Sequence, residues 1–256
     1  MKVTFLGTGT SQGVPIIGCE CSVCKSIDSR DKRLRTSALV QVEGKNILID
    51  IGPDFREQML RCGIFRLDAI LITHSHRDHV AGIDDIRPFN YYQKGALNFY
   101  ARSNAAACIR KDYKYIFDEH IYPGLPEVEL MEVDEKETFR VANNEIEVQP
   151  IMVMHKDLPI HGYRIKDFTY ITDANYISPS ELDKVIGTKV LVINALRKEK
   201  HFSHYSLDEA LEIVEKVKPQ KAFLTHISHD MGFCEDVNSQ LPSNVQLAHD
   251  GLTVEW

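Results

Sequence analysis

The 256-residue sequence predicts an α/β fold in which two mixed β-sheets pack face to face with helices outside. Two observations carry this. Two separate blocks of strand-forming sequence are each followed by helical segments, and stacked sheets covered by helices bury both apolar faces of such blocks. In addition, the runs ILITHSH at 70–76 and FLTHISH at 223–229 each end a buried apolar strand in a pair of histidines, a faint echo that hints at two similar halves. No low-complexity tract or linker divides the chain, so residues 1–256 read as a single domain.

The N-terminal third is strand-rich. Residues 2–7, 37–43 and 46–51 are β-branched or alternating, and Glu43-Gly44-Lys45 reads as the hairpin turn between the last two. Pro53 at its start and Gly63 just past its end bracket a helix near 54–62. LDAILIT at 67–73 is a continuous apolar run of buried-strand length. Residues 80–120 look mostly helical and are rich in aromatics (Phe89, Tyr91, Tyr92, Phe99, Tyr100, Tyr113, Tyr115, Phe117), which suit core and subunit surface better than a base-stacking platform. Next come ETFRV with EIEVQPIMVMH and HGYRI with FTYITDA, two hairpins turning at Asn143-Asn144 and Lys166-Asp167. The rest reads as a helix near 179–186, the strand KVLVINA, a helix near 206–217, the strand KAFLTHI, a short helix near 231–240 and a terminal hairpin VQLAHDGLTVEW.

With 43% hydrophobic and 26% charged residues the composition is that of an ordinary globular protein. A net charge of -7 weighs against a polynucleotide partner, because phosphate backbones are met by basic faces. The opening MKVTFLGTGTSQG is too short in its apolar run and too glycine-rich for a signal peptide, and no run approaches the roughly 18 apolar residues of a membrane helix. A cytoplasmic protein with no membrane partner is therefore expected. Of six cysteines, Cys19, Cys21 and Cys24 crowd together, a poor disulfide framework but a good source of thiolates for a metal. Cys62, Cys108 and Cys234 read as packing residues.

The chemistry concentrates in His74-Ser75-His76-Arg77-Asp78-His79, where a buried strand runs out into four metal-type ligands. Imidazole and carboxylate suit zinc, manganese or iron. Residues two apart on an extended strand end point the same way, so His74 and His76 can grip one ion while Asp78 and His79 face another. Three further ligand-type residues end apolar strands: His155, Asp173 and His226. The expected arrangement is His74, His76 and His155 on one divalent metal, Asp78, His79 and His226 on a second, and Asp173 bridging them. Two such ions about 3.5–4 Å apart activate a shared hydroxide and steady the substrate oxygen. Thr8-Gly9-Thr10-Ser11-Gln12-Gly13 follows a strand but lacks a P-loop's Gly-Lys-Ser/Thr ending, so it reads as a tight turn beneath the site. Asp50 and Asp250 read as carboxylates orienting ligand histidines.

The pattern His74-x-His76-x-Asp78-His79 with a later His, Asp and His resembles the metallo-β-lactamase superfamily. TGTSQGVPIIGCECSVC at 8–24 and LTHISH at 224–229 resemble, more narrowly, the PhnP-type phosphodiesterases of the phosphonate-degrading carbon–phosphorus lyase pathway, and the likeness spans nearly the whole chain. The resemblance implies an αββα four-layer sandwich (the metallo-β-lactamase fold), two catalytic divalent metals (zinc or manganese) and a homodimer. It also implies His229 as fourth ligand of a structural zinc site with Cys19, Cys21 and Cys24, a closed sulfur-rich site distinct from the catalytic pair. His204, rather than its neighbour His201, matches the position of a family histidine that acts as acid or phosphate ligand; Asp78 and His204 are the catalytic candidates. The expected activity is hydrolysis of a small phosphodiester, cyclic ones included. The alternatives are a ribonuclease Z-like RNA-processing nuclease, a glyoxalase-type thioesterase or lactonase, and a non-catalytic scaffold.

Overall fold

The computed structural model describes residues 1–118 and 124–256. In chain order the strands are β1 (Lys2–Gly7), β2 (Ser37–Val42), β3 (Lys45–Ile49), β4 (Ala69–Ile72), β5 (Leu97–Ala101) and β6 (Val128–Glu132). There follow β7 (Phe139–Val141), β8 (Ile146–His155), β9 (Leu158–Ile165), β10 (Phe168–Ile171), β11 (Tyr176–Ile177), β12 (Val190–Asn194), β13 (Lys221–Thr225), β14 (Val245–Leu247) and β15 (Thr253–Glu255). The first sheet has the order β15-β1-β2-β3-β4-β5-β6; the second has β11-β8-β9-β10-β12-β13-β14, with β7 paired to β8. The helices are α1 (Phe55–Cys62), α2 (Arg77–Val80), α3 (Arg87–Gln93), α4 (Ser103–Asp112), α5 (Lys114–Phe117), α6 (Pro179–Val185), α7 (Leu207–Val217) and α8 (Cys234–Asn238).

The period of two along the strands builds the layers. In β3 and β4 the side chains of Ile47, Ile49, Ala69 and Leu71 turn inward to meet Val148, Tyr163, Phe168, Tyr170, Val192 and Phe223 of the second sheet. Their neighbours Leu48, Ile70 and Ile72 turn outward onto Phe55 and Met59 of α1, Phe89 of α3 and Ile109 of α4. The second sheet mirrors this: Leu191, Ile193 and Leu224 face away from the centre onto Ala210, Ile213 and Val214 of α7 and Val237 of α8. The result is the four-layer α/β/β/α sandwich. Helix α7 begins with a complete capping box between Ser206 and Glu209, and α1 ends on Gly63 at φ 63°, as glycine's freedom there allows.

Two expectations need correction. The terminal segment is not a hairpin: β14 adds to β13 in parallel in the second sheet, and β15 pairs antiparallel with β1 in the first. The described part of 80–120 is mostly helical as expected, but β5 also runs through it and pairs in parallel with β4 and β6. Its Phe99 faces the outer helices and its Tyr100 the centre, a strand's alternation. Pro53 lies before the helix, whose cap position is Asp54. Residues 119–120 of that aromatic stretch lie outside the described residues. Phe89, Phe99, Tyr100 and Tyr113 are buried as expected of core, whereas Tyr91 and Tyr92 stand exposed on α3. Among the described residues no helix is long and apolar enough to cross a membrane.

Candidate active site

β8 and β10 each pair antiparallel with β9, and β10, β12 and β13 run in parallel, so β8, β10 and β13 release their carboxyl ends at one edge of the second sheet. β3 and β4 do the same in the first sheet. His155 is the last residue of β8, and Asp173 and His226 follow β10 and β13; Asp50 and the 74–79 segment follow β3 and β4. Asp50, Asp173 and His226 all sit at positive φ (61°, 58° and 56°). Non-glycine residues tolerate that left-handed conformation only where surrounding structure enforces it, and here it lies at three strand ends facing one place.

The expected residues come together. One donor atom from each of His74, His76 and His155 lies within 4.8 Å of the others, as do those of Asp78, His79, Asp173 and His226. Asp173 joins a third group with His155 and His204, which places it centrally. Its Oδ2 is 3.3 Å from His79 Nε2 and its Oδ1 is 3.2 Å from His226 Nε2. His204 is in the site: its ring centroid lies 4.7 Å from that of His155 and 5.0 Å from that of His226. His201 is one ring further out, 5.2 Å from His204.

Neighbouring groups fix the imidazole tautomers. Asp50 accepts from the backbone N–H and hydroxyl of Thr73 (both 2.8 Å) and from His79 Nδ1 (2.7 Å), which turns His79 Nε2 towards Asp78 and Asp173. The Thr73 hydroxyl is committed to Asp50, so His74 Nδ1–H donates to its oxygen (3.0 Å) and His74 Nε2 faces His76 Nδ1 at 3.0 Å. His155 Nδ1 donates to the Ser203 carbonyl (2.9 Å). The Asp250 expectation is corrected: its carboxylate accepts from the Thr8 hydroxyl and the Leu34 N–H, bracing the loop after β1 rather than a ligand histidine. That loop does run against the site, since Ile227 N–H donates to the Thr8 carbonyl.

Burial disfavours an imidazolium at His79, but the carboxylates of Asp173, Asp78 and Asp50 outweigh it and hold its pKa well above the usual histidine range. Burial followed by the charge of His79 pulls His74 well below that range. Burial acts against ionised Asp173 too, yet His226 and His79 keep it a carboxylate. His204 is pulled down to about 3 by burial and then by His226, so it is neutral near pH 7.

The second cluster forms as well. Sγ of Cys19, Cys21 and Cys24 lie 3.4, 3.2 and 3.6 Å from His229 Nδ1. The Cys24 backbone N–H and His229 lower the Cys21 thiol to about 6, whereas burial pushes Cys24 up to about 11. Cys234 is buried and Cys62 half-buried, but Cys108 is exposed on α4, contrary to the expectation of a packing residue. Two supporting residues escaped the sequence reading. Thr73 links Asp50 to His74, and the fully buried Asn194 clamps Ala174 through both its amide N–H and its carbonyl (2.8 and 2.9 Å), setting the turn that carries Asp173. The signal was available at Asn194: a polar residue ending an otherwise apolar strand.

The chain matches the Beta-lactamase superfamily domain over residues 45–227. It is similar to the crystal structure of a new diphosphatase from the PhnP family, with a TM-score of 0.92 and 41% identity over 100% of this chain and 97% of that one. It is 40% identical over 98% of its length to an octanoyltransferase of Porphyromonas gingivalis, of which it spans about half (51%). The structure of Zn(2+)-bound PqqB from Methylobacterium extorquens shares the fold (TM-score 0.80, 19% identity, 100% of both chains). The chain thus belongs to the metallo-β-lactamase superfamily, in its branch of PhnP-type hydrolases.

Proposed function

We propose that the chain is a metal-dependent hydrolase of a small phosphoric ester, a phosphodiester or the P–O–P link of a diphosphate. The observation that carries this is two donor groups at facing strand ends, His74/His76/His155 and Asp78/His79/Asp173/His226, linked by the grouping of Asp173 with His155 and His204, and with His204 packed against a member of each. The residues fit divalent ions. His79 Nε2 and His226 Nδ1 are buried without a hydrogen-bond partner among the described residues, and the lone pairs of His74 and His76 converge. His74, His76 and His155 would hold one ion, Asp78, His79 and His226 the other, with Asp173 between them. Cys19, Cys21, Cys24 and His229 supply the sulfur-rich donors of a structural zinc. Bound divalent ions supply Lewis acidity and neutralise charge on the phosphoryl oxygens.

Water forms the new P–O bond as the bond to the departing group breaks. One water proton goes to the ionised Asp78 carboxylate, and that same proton is passed on to the departing oxygen. His204, neutral at pH 7, serves as an N–H donor to the departing side of the phosphate. Asp50 fixes the orientation of the His79 ring so that Nε2 faces Asp78 and Asp173. The 41% identical diphosphatase supports P–O bond cleavage in a small phosphate compound as the reaction class. The octanoyltransferase name belongs to a chain twice as long, and the seven residues at the strand ends include no thiol or amine to carry an acyl group.

The test is direct. Protein loaded with Mn²⁺ or Zn²⁺ is offered bis(p-nitrophenyl) phosphate, a small diphosphate diester, an octanoyl thioester and a precursor tRNA. Turnover of the first two above the others is expected. Preference for the thioester or the tRNA would overturn the reading.

A further inference from the structure

Resting on the phosphoric-ester reading, we infer that the departing group of the substrate carries a planar ring that stacks on Phe202, so the substrate is a small nucleotide-like ester. Phe202 is 69% exposed, yet it is held in place. The His201 ring lies 4.4 Å from it, centroid to centroid, tilted by 36°. Lys156 Nζ sits 5.8 Å from the ring centre. The Phe202 carbonyl accepts from Asn175 Nδ2 (3.2 Å), and Asn175 Oδ1 accepts the Lys156 backbone N–H (2.7 Å). The next residue, Ser203, gives its carbonyl to His155 Nδ1, so the platform is tied to a donor of the site itself.

The rings form a short path inward: Phe202 to His201, His201 to His204, and His204 to His226. Phe202 therefore stands on the His204 side, where the departing group lies. An exposed aromatic ring whose loop is fixed at several points is a stacking surface for another planar ring. The charge around it suits a phosphate-bearing ligand. Residues 197–201 read Arg-Lys-Glu-Lys-His in a chain whose net charge is -7. Lys156 and Lys200 make long, solvent-exposed ion pairs, 3.8 Å to Asp157 and 3.7 Å to Glu209, and Lys156 also lies over the Phe202 ring. Such pairs are weak and leave the cations able to meet an anion. A π-face bordered by solvent-exposed cations, next to a centre that cleaves phosphate, is the chemistry that receives a base and its phosphate.

The experiment uses two diphosphates that differ only in the base: methyl adenosine-5′-yl diphosphate and methyl ribose-5′-yl diphosphate. They are assayed with metal-loaded wild type, Phe202→Ala and Phe202→Trp, and calorimetry measures binding of AMP and ribose 5-phosphate. Wild type should prefer the base-bearing substrate about 10-fold in kcat/KM, mainly through KM. Phe202→Ala should bring that ratio, and the AMP advantage in binding, close to one, and Phe202→Trp should retain both. Equal use of the two substrates by wild type, or an equal loss on both in Phe202→Ala, would overturn the inference while leaving the hydrolase reading intact. Better turnover of a short RNA than of either diphosphate would overturn the small-ligand class. Failure to cleave either diphosphate or bis(p-nitrophenyl) phosphate would instead sink the hydrolase reading.

Discussion

His79 Nδ1 donates to Asp50, and its Nε2 lies 3.2 and 3.3 Å from the carboxylates of Asp78 and Asp173. His204 Nδ1, like His79 Nε2, has no hydrogen-bond partner among the described residues; it lies 3.8 Å from Asp173 Oδ1, and its ring packs against His155 and His226. Replacing His204 with Ala should leave metal content full, by mass spectrometry, while lowering kcat/KM by roughly 10²-fold; unchanged turnover would remove it from the reaction. Asp250 gives a second test at this scale. Burial raises its pKa from 3.8 to about 6, against the opposing Leu34 N–H, Thr8 hydroxyl and Arg33. The folded chain then keeps this proton to a higher pH than the unfolded chain does. Its favourable share of stability is therefore full below about pH 4 and fades as pH rises to about 6. Urea unfolding of metal-free wild type and Asp250→Asn should show the wild-type advantage shrinking across that window, and an advantage that grows with pH would contradict the assignment.

Among the elements, strand ends were the most legible feature. A histidine or aspartate terminating an apolar run is a conspicuous exception to packing, and β4, β8, β10 and β13 each supplied one. Strand partners were not legible. VQL and TVE read as strands, but their pattern says nothing about pairing, so β14 and β15 were read as one hairpin although they join different sheets. β5 was hidden for a related reason: five residues flanked by helices are too few for the period of two to stand out. Also beyond sequence reach was the left-handed backbone of Asp50, Asp173 and His226, which tertiary contacts impose. The short 3₁₀ turn His229–Met231 after β13 brings His229 to the cysteine loop, three residues beyond His226 in the other cluster. Cys21→Ser should lower metal stoichiometry by one per chain and expose the 16–26 loop to proteolysis, with the donors at the strand ends still loaded. A variant that keeps the wild-type stoichiometry would show that the cysteine cluster holds no metal.

At the scale of the molecule, the two sheets serve as a frame. Their inner faces lock together through Ile47, Leu71, Tyr163, Tyr170 and Val192, and their facing edges hold the converging donors. Residues separated by up to 152 positions, His74 and His226, meet because each ends a parallel strand in its own sheet. The layered architecture was legible because two strand-rich blocks are each followed by helical segments. Anomalous diffraction from crystals grown with zinc tests this convergence most directly. The expected result is two peaks about 3.5–4 Å apart, bounded by His74, His76 and His155 on one side and Asp78, His79 and His226 on the other, with Asp173 between them and a third peak among Cys19, Cys21, Cys24 and His229. Maps with no peak within bonding distance of His74, His155, Asp173 and His226 would contradict it.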